Sequence, residues 1–243
     1  MQYILRNKVV LLIILLISVK SISFAQFEPE YNLPNHDDKL FHFGISIGSN
    51  RSFYHFNNNP YFTLRDSVLG IESLQSSGVS LAWLVDMNLN EHFNLRTYPL
   101  DLIFTEKAFE YRLRIPEKYY EEDSITIKKV QGITLALPVQ IKFNSDRINN
   151  LKVYMLAGGK LEYDFAGNAG DKNAERQIKL KKLDYGIEAG IGFHFYFPMF
   201  VLSPELKVGW GLNNVHSRDE NLKYSNVIDQ IKSRTISFSF IIE

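Results

Sequence analysis

The chain has 243 residues, of which 45% are hydrophobic and 14% aromatic, and it contains no cysteine. Its 27 basic and 27 acidic residues balance, so it lacks the strongly basic face that a nucleic-acid partner requires. The absence of cysteine excludes disulfide bonds, a cysteine nucleophile and a lipid-modified N-terminal cysteine. The high aromatic content favours β-strands.

The first 25 residues have the pattern of a secretory signal peptide. Two basic residues precede an apolar run over 9–17, and Ser23 and Ala25 occupy the −3 and −1 positions of a cut before Gln26. The run is too short for a transmembrane helix, which needs about 20 apolar residues. We therefore predict a signal peptide over 1–25, cleaved between Ala25 and Gln26; an N-terminal anchor helix is the alternative. Three of the 27 basic and none of the 27 acidic residues precede Gln26, which leaves a mature charge of −3.

Long segments of the mature chain alternate between apolar and small or polar residues, which is the period of a β-strand. Between Ile133 and Phe143 every odd-numbered residue is apolar and the even-numbered residues are small or polar. The same alternation recurs over 41–48, 79–88, 151–165, 183–198, 200–211 and 235–242. Such long apolar faces are typical of a barrel wall exposed to lipid. Within a membrane, a closed barrel is the one kind of sheet in which every backbone N–H and C=O group can be hydrogen-bonded.

The segment 93–113 is less regular. Its apolar residues move from odd to even numbers at Pro99 and return to odd numbers at Phe109. Because proline lacks the donor that a strand ladder needs, we predict a β-bulge near Pro99 and a second bulge where the phase reverts. Counting this segment, the sequence predicts an all-β fold: an eight-stranded antiparallel transmembrane β-barrel of the outer membrane, with closed up-and-down topology, over 40–243.

The predicted connections alternate between long and short. The long connections fall near 50–77, 106–124, 166–181 and 212–232. Outer-membrane barrels have short periplasmic turns and longer outer loops, so we expect these four loops outside and both termini in the periplasm. The segment 26–39 would then be periplasmic, either as an extended arm that docks a partner or as a disordered leader.

Charged residues of both signs fall on the face that should point into the barrel. They could form an ion or proton path, or they could pair with one another in a packed interior. We favour packing, because the interior of an eight-stranded barrel is just wide enough for side chains to fill it. The residues are Asp86, Lys142, Lys160, Glu162, Glu188, Glu205 and Lys207.

The histidines lack the helical spacing of a metal site, and the chain contains no nucleophile elbow. His216 and Ser217 lie together in a predicted outer loop, and some outer-membrane barrels are lipid-modifying enzymes that use exposed His and Ser. A chance adjacency is the favoured interpretation. We therefore predict no catalytic, cofactor-binding or metal-binding residue, no cofactor and no small-molecule substrate. The aromatic run between Phe193 and Phe200 is interpreted as a girdle at a membrane interface.

Two stretches, taken in order, resemble a known family. The first is Asn32-Leu33-Pro34-Asn35-His36-Asp37-Asp38-Lys39, which runs into His42-Phe43-Gly44. The second is Leu137-Pro138-Val139-Gln140-Ile141-Lys142-Phe143, which leads through Arg147 and Asn149-Asn150 to Tyr154, Ala157-Gly158-Gly159 and Tyr163-Asp164. In combination they resemble the PorT family of Bacteroidetes outer-membrane β-barrels.

The resemblance implies a non-catalytic role in the type IX secretion system, which exports proteins bearing a C-terminal sorting domain and, in gliding bacteria, delivers surface adhesins. It implies outer-membrane lipid and other components of that system as partners. Two further hypotheses stay open: a stand-alone barrel for ligand binding or adhesion, and a lipid-modifying enzyme that uses His216 and Ser217.

Overall fold

A computed structural model of the protein describes residues 31–58, 68–74, 76–113, 124–165, 180–217 and 228–243. The predicted signal peptide, 1–25, and the first residues of the predicted periplasmic segment, 26–30, lie outside these ranges. Within the described ranges, no helix is long and apolar enough to cross a membrane. The strands are β1 (Phe41–Asn58), β2 (Val68–Leu74), β3 (Ser76–Asn88), β4 (Phe93–Leu113), β5 (Ile125–Asn144), β6 (Leu151–Asp164), β7 (Leu183–Tyr196), β8 (Val201–Gly211) and β9 (Ile228–Ile242).

The strands close into a ring of antiparallel pairs. β1 pairs with β3 on one side and with β9 on the other, and pairing between β4 and β5 completes the ring. β2 and β3 both pair with β4, one after the other along its length. The two strands therefore occupy one of the eight strand positions of the barrel, and we call each such position a stave. The result is the predicted closed, eight-stranded, all-β barrel.

The two ends of the barrel differ, and we name them by their connections. At the turn end, residues 89–92, 145–150 and 197–200 make short turns. The opposite end, the loop end, carries the longer connections. This alternation of short and long connections follows the predicted pattern.

The structure corrects the boundaries of three predicted long loops. β1 continues to Asn58, β4 continues to Leu113 and β9 begins at Ile228, so parts of 50–77, 106–124 and 212–232 are strand. The alternation of apolar and polar residues in the sequence ends where the outward face stops being apolar. The hydrogen-bonded strands continue beyond that point. The residues that remain between these strands, and most of 166–181, lie outside the described ranges.

The bulge predicted at Pro99 is confirmed. The register of β4 with β5 shifts between Thr97 and Asp101. Tyr98 and Asp101 both point inward and are buried, whereas Pro99 and the residue that follows it are exposed. The proline therefore sits where the ladder loses a bond and the inward phase changes from even to odd numbers.

The second predicted bulge, near Phe109, is wrong. From Asp101 to Arg112, β4 stays in one register with β5, and the odd-numbered residues keep pointing inward. The irregularity lies in the neighbouring stave instead, where pairing with β4 moves by one residue between Leu74 and Gly78. The apolar residues return to odd numbers because the interior itself becomes apolar at the loop end.

An apolar cluster, which we call the apolar cap, fills the barrel at the loop end. The rings of Tyr54 and Phe109 stack there with centroids 5.4 Å apart. The outer face at the same level carries polar residues such as Arg51, His55 and Arg112. The barrel is therefore organised here as in water, with an apolar interior and a polar surface. The members of the cap are Tyr54, Phe109, Tyr111, Leu113, Leu180, Val215, Ile228 and Ile231.

Between the ends, the outer wall is an apolar band bounded by two aromatic girdles. Tyr185 and Phe195 are ten positions apart on β7, and at about 3.4 Å per residue and a tilt of about 40° this distance spans roughly 25 Å, the apolar height of outer-membrane barrels. The turn-end girdle contains the predicted Phe193, Phe195, Phe197 and Phe200, together with Phe41, Phe93 and Phe143. The loop-end girdle contains Phe104, Tyr163, Phe165, Tyr185 and Trp210.

A substitution of Ile191, an exposed residue near the middle of the apolar band, tests where the band lies in the bilayer. Ile191→Arg is expected to lower the free energy of unfolding by about 2–4 kcal/mol, because it places a cation near the bilayer midplane. Urea unfolding in lipid vesicles measures the loss. Ile125→Arg is the control, since Ile125 is also outward but lies beyond the loop-end girdle, and it should cost about 1 kcal/mol or less. Equal losses would contradict the assigned band.

Candidate functional site

At the turn-end half, the interior holds a buried group of charges, which we call the ion-pair core: Asp86, Arg96, Lys142, Glu205 and Glu243. Arg96 Nη2 lies 2.8 Å from Asp86 Oδ2, and Arg96 Nη1 lies 2.9 Å from Glu205 Oε2. Arg96 Nη2 also approaches Glu243 Oε1 at 3.3 Å, and Lys142 Nζ lies 2.5 Å from Asp86 Oδ2. Arg96 thereby holds three carboxylates that come from three different strands or chain segments.

Strand alternation explains how these residues meet. Asp86 and Arg96 are direct partners in the register of β3 with β4, and both lie on the inward face. Lys142 reaches the same point from the inward face of β5. Because ions that are removed from water must be paired, opposite charges at one level make this burial tolerable.

Polar rings complete the packing around the ion-pair core. The Tyr154 hydroxyl donates to Glu205 Oε2 at 2.7 Å, and the Arg96 guanidinium lies 5.2 Å from the centroid of the Tyr154 ring. His194 Nδ1 lies 2.6 Å from Ser203 Oγ. Gly192 makes room for the tyrosine, since a Cβ on that residue would come within 2.3 Å of Tyr154 Cζ.

A segment that we call the strap, residues 32–40, crosses the turn end. The Asn32 backbone amide donates to Asn150 Oδ1 at 3.0 Å, and Asn32 Nδ2 donates to the Tyr196 carbonyl at 3.0 Å. Farther along, Asn88 Nδ2 donates to the carbonyls of Asp37 at 2.8 Å and Lys39 at 2.6 Å. The strap is thus bonded to several staves around the mouth of the barrel.

Asp37 is the side chain that fastens the strap most directly. The Tyr196 hydroxyl donates to Asp37 Oδ1 at 2.7 Å, and Lys152 Nζ lies 3.4 Å from the same oxygen. Arg147 approaches Asp37 Oδ2 at 3.9 Å and stacks 3.6 Å from the centroid of the Tyr196 ring. Arg147 also donates to the carbonyl of Leu33, whose φ of 48° is unusual for a residue other than glycine.

Two histidines form the part of the strap that lies over the mouth. The rings of His36 and His42 stack with centroids 4.4 Å apart, and His42 Nε2 lies 2.7 Å from the His36 carbonyl oxygen. Burial, and then the neighbouring His42, lowers the pKa of His36 to about 4. Burial by itself would raise the pKa of Asp37, but the Tyr196 hydrogen bond and the Lys152 charge outweigh it and hold the pKa below its usual value.

These pKa directions predict that the strap loosens as the pH falls. His36 is neutral in the closed strap and gains a proton more readily once released, so its stabilisation is lost as the pH falls from its ordinary pKa of 6.5 towards about 4. Asp37 contributes above the ordinary carboxylate pKa of 3.8 and loses its contribution as the pH falls below that value. The chain has no cysteine, so a spin label on the exposed site of Asn35→Cys reports strap mobility without interference.

Variants of His36 and Asp37 distinguish the contributions of these two residues to the pH dependence of strap mobility. In the Asn35→Cys background, His36→Gln should remove the mobility change between pH 6.5 and 4, while Asp37→Asn should make the strap mobile already at pH 7. A label that stays equally immobile from pH 7 to pH 3 in every variant would contradict this account of how the strap is held.

Above the ion-pair core, two small polar cavities lie along the barrel axis. Each has a volume of about 40 Å³, which is room for a few water molecules. Lys160 pairs with Glu162 at 2.6 Å, and Ser233 donates to Asp184 at 2.5 Å, beside these cavities. With the strap at one end and the apolar cap at the other, this arrangement supports the packed interior over the ion path.

All seven predicted inward charges point into the barrel. Three of them, Asp86, Lys142 and Glu205, belong to the ion-pair core. Lys207 Nζ lies 3.5 Å from Glu205, while Lys160, Glu162 and Glu188 border the cavities. Sequence reasoning missed Arg96, Glu243, Tyr154, His194 and the strap contacts of Asp37.

Arg96 had a signal that could have found it. It lies one residue after the outward Leu95, on the inward phase of the strand before the Pro99 bulge. The contacts of Asp37 had no such signal, because Asp37 and Tyr196 are 159 positions apart.

His216 does not occupy the position that a lipid-modifying pair requires. Its side chain is only 3% exposed, and it lies in an isolated bridge with Leu180 beside the apolar cap. The alternative in which His216 and Ser217 form an exposed lipid-modifying pair is not supported by the burial of His216. Among the residues that the structure describes, no group of three or more ligating side chains is arranged to hold a metal ion.

A comparison with protein families gives the identity of the fold. A family model described as an outer membrane protein beta-barrel domain matches residues 24–217. The chain belongs to this family. It is an outer-membrane protein, and its apolar band is the surface that the barrel presents to lipid. A comparison with curated proteins gave no match.

Several solved outer-membrane proteins are similar to this chain at low sequence identity. Neisserial surface protein A is 11% identical, with a TM-score of 0.40 over 84% of this chain and 99% of that chain. The attachment invasion locus protein Ail of Yersinia pestis, in complex with the heparin analogue sucrose octasulfate, is 14% identical, with a TM-score of 0.35 over 82% and 96%. OprG from Pseudomonas aeruginosa is 9% identical, with a TM-score of 0.38 over 82% and 92%.

Proposed function

We propose that this outer-membrane barrel is a non-catalytic component of the type IX secretion system. It supports the export of proteins with a C-terminal sorting domain and, in cells that glide, the delivery of surface adhesins. It works as a closed scaffold that contacts partner proteins, and substrates do not pass through its interior. The observation that carries this proposal is the strap docked across the turn end.

The strap links the two stretches on which the PorT resemblance rests. Asn32 belongs to the first stretch, and it bonds to Asn150 of the second, 118 positions away. Arg147, also of the second stretch, donates to the carbonyls of Asn32 and Leu33. Residues of the two stretches, although distant in the sequence, therefore contact one another. This contact supports a structure shared with the PorT family over a chance match of short motifs.

A closed interior supports a scaffold over a pore. Arg96 and its carboxylate partners fill the turn-end half, and the cavities beyond them are about 40 Å³ each. An exported protein, even unfolded, could not pass such a cross-section. The partners would bind the outer surfaces of the barrel.

The turn end offers a surface of this kind. Ile148 is 72% exposed and Met199 is 88% exposed, each on a short turn where a polar residue would be expected. The strap lies beside both turns, since it bonds to Asn150 and to the Tyr196 carbonyl. We place this end in the periplasm, with a mature N-terminus at Gln26, the four long loops outside, and Ile148, Met199 and the strap facing a periplasmic partner.

Deletion of the gene tests the proposal. Export of sorting-domain proteins to the cell surface and medium, and surface motility where the cell glides, should fall to background. Wild-type chain supplied in trans should restore both. Ile148→Asp with Met199→Asp should restore export poorly while accumulating normally in the outer membrane, and Ile125→Asp at the loop end is the matched control. Normal export and motility in the deletion strain would refute the secretion role.

A further inference from the structure

A groove of about 670 Å³ runs along the outer wall at the level of the loop-end girdle. It crosses β3, β4 and β5, and its apolar lining is Val79, Phe104, Ile133 and Phe165. Ser77 and Glu106 lie at its polar edge. The apolar lining lies within the band that faces lipid, so an acyl chain is the kind of group that fits it.

Cations lie on the staves next to this groove. Arg51 of β1 is the direct partner of Ser77, which lines the groove. On the other side of β1, Phe53 is opposite Arg234 and His55 is opposite Lys232 of β9. Because Ser52, Tyr54 and Ser233 point inward, strand alternation places Arg51, Lys232 and Arg234 together on the outer face.

The cations of this patch differ from Arg112 in their ion pairing. Among the residues that the structure describes, no carboxylate forms an ion pair with Arg51 or Lys232, whereas Arg112 on the neighbouring β4 pairs with Glu72 at 2.8 Å. Arg234 Nη1 donates to the carbonyls of Ser233 at 3.1 Å and Gly211 at 3.3 Å, which holds its guanidinium at the rim. Trp210 of the loop-end girdle is the direct partner of Arg234, so these cations lie at headgroup level.

We propose that the groove and these cations bind one phosphorylated membrane lipid from the leaflet at the loop end. Its acyl chain lies against Val79, Phe104 and Ile133, and its phosphate accepts hydrogen bonds from Arg51 and its cationic neighbours. Arginine suits phosphate because its planar donors bind two oxygens at once, and each basic residue at a membrane surface strengthens the attraction of anionic lipid. The apolar groove beside the cations favours a lipid over a soluble anion, and this site does not depend on the secretion role.

The test compares two lipids that differ in net charge. Purified chain is incubated in detergent with equimolar phosphatidylglycerol and phosphatidylcholine of identical acyl chains, and bound lipid is counted by native mass spectrometry. We expect the wild type to retain phosphatidylglycerol preferentially. Arg51→Gln and Lys232→Gln should each reduce that preference by roughly fivefold, and together they should abolish it. The control Arg112→Gln, which removes an already paired cation, should keep it.

Two further experiments distinguish the contribution of the apolar groove from that of the cations. Val79→Trp, which fills the groove and leaves the cations in place, should lower the retention of phosphatidylglycerol. Excess inorganic phosphate should not displace the lipid. Equal retention of the two lipids by the wild type, an unchanged preference in the double variant, or displacement by phosphate would overturn the proposal. Heat-modifiable migration in electrophoresis confirms that each variant is folded.

Discussion

Replacing Arg96 by methionine is expected to lower the free energy of unfolding by about 3–5 kcal/mol. Arg96 is fully buried and contacts Asp86 at 2.8 Å, Glu205 at 2.9 Å and Glu243 at 3.3 Å. Methionine keeps an unbranched, flexible side chain but carries no charge, so the variant leaves buried carboxylates without their main cation. Urea unfolding in lipid vesicles, followed by tryptophan fluorescence, measures the loss.

Two comparisons show whether buried charge is the cause. Arg112→Met removes an arginine whose pairing with Glu72 is exposed to solvent, and it should cost about 1 kcal/mol or less. Adding Glu205→Gln to Arg96→Met should recover part of the loss, because it removes a buried carboxylate that the first change deprives of its closest cation. A cost for Arg96→Met no larger than that for Arg112→Met would show that the ion-pair core does not hold the barrel together.

Phe109→Ala is expected to cost a similar amount, about 3–5 kcal/mol. Phe109 is 0% exposed and packs in the apolar cap, with its ring centroid 5.4 Å from that of Tyr54 and 5.6 Å from that of Phe56. Truncation removes a large apolar side chain and leaves a cavity that the surrounding staves fill only in part. The same unfolding assay measures the effect.

Phe104→Ala is the matched control for this change. Phe104 lies on the same strand, but it points outward and is 39% exposed in the loop-end girdle. Its truncation opens no internal cavity, because lipid fills the space that the ring leaves. If Phe104→Ala destabilised the barrel as much as Phe109→Ala, Phe109 would not be an interior residue, and the phase assigned to β4 would be wrong.

The barrel itself could be predicted because the signals that specify it are local. Alternation with period two places side chains on opposite faces of a strand wherever it occurs. Pro99 interrupts the ladder through its missing donor, without regard to its surroundings. The aromatic side chains of Phe193, Phe195, Phe197 and Phe200 lie on the wall because the interface favours their rings, again a property of the residue type.

The polarity of the loop end could not be predicted in the same way. Within a bilayer, an apolar residue on a barrel strand points outward, but beyond the bilayer it points inward. Tyr54 and Phe109 obey the second rule, while the sequence does not mark where on each strand the rule changes. This reversal produced the false second bulge, made the predicted β1 end too early and made the predicted β9 begin too late.

The site was predicted only in part, for a related reason. The inward charges follow from alternation, but their grouping depends on which staves are neighbours and on register. Arg96 was hidden by the phase change at Pro99, and the strap depends on contacts such as that between Asp37 and Tyr196, 159 positions apart. Long-range pairing of this kind becomes visible only when the barrel is closed.

The sealed interior and the exposed turn end lead to one expectation about how the barrel works. The ion-pair core and the apolar cap fill the barrel axis, so we expect the barrel to act through its outer surfaces. At the turn end, beside the strap, Ile148 and Met199 are apolar residues exposed outside the lipid band.

Purification of the tagged chain from native outer membranes in mild detergent tests this central claim most directly. We predict that other type IX secretion components co-elute in stoichiometric amounts, and that Ile148→Asp with Met199→Asp abolishes the association while the barrel remains folded. Elution of the wild-type chain alone, at the mass of a single barrel, would contradict the account and favour a stand-alone barrel.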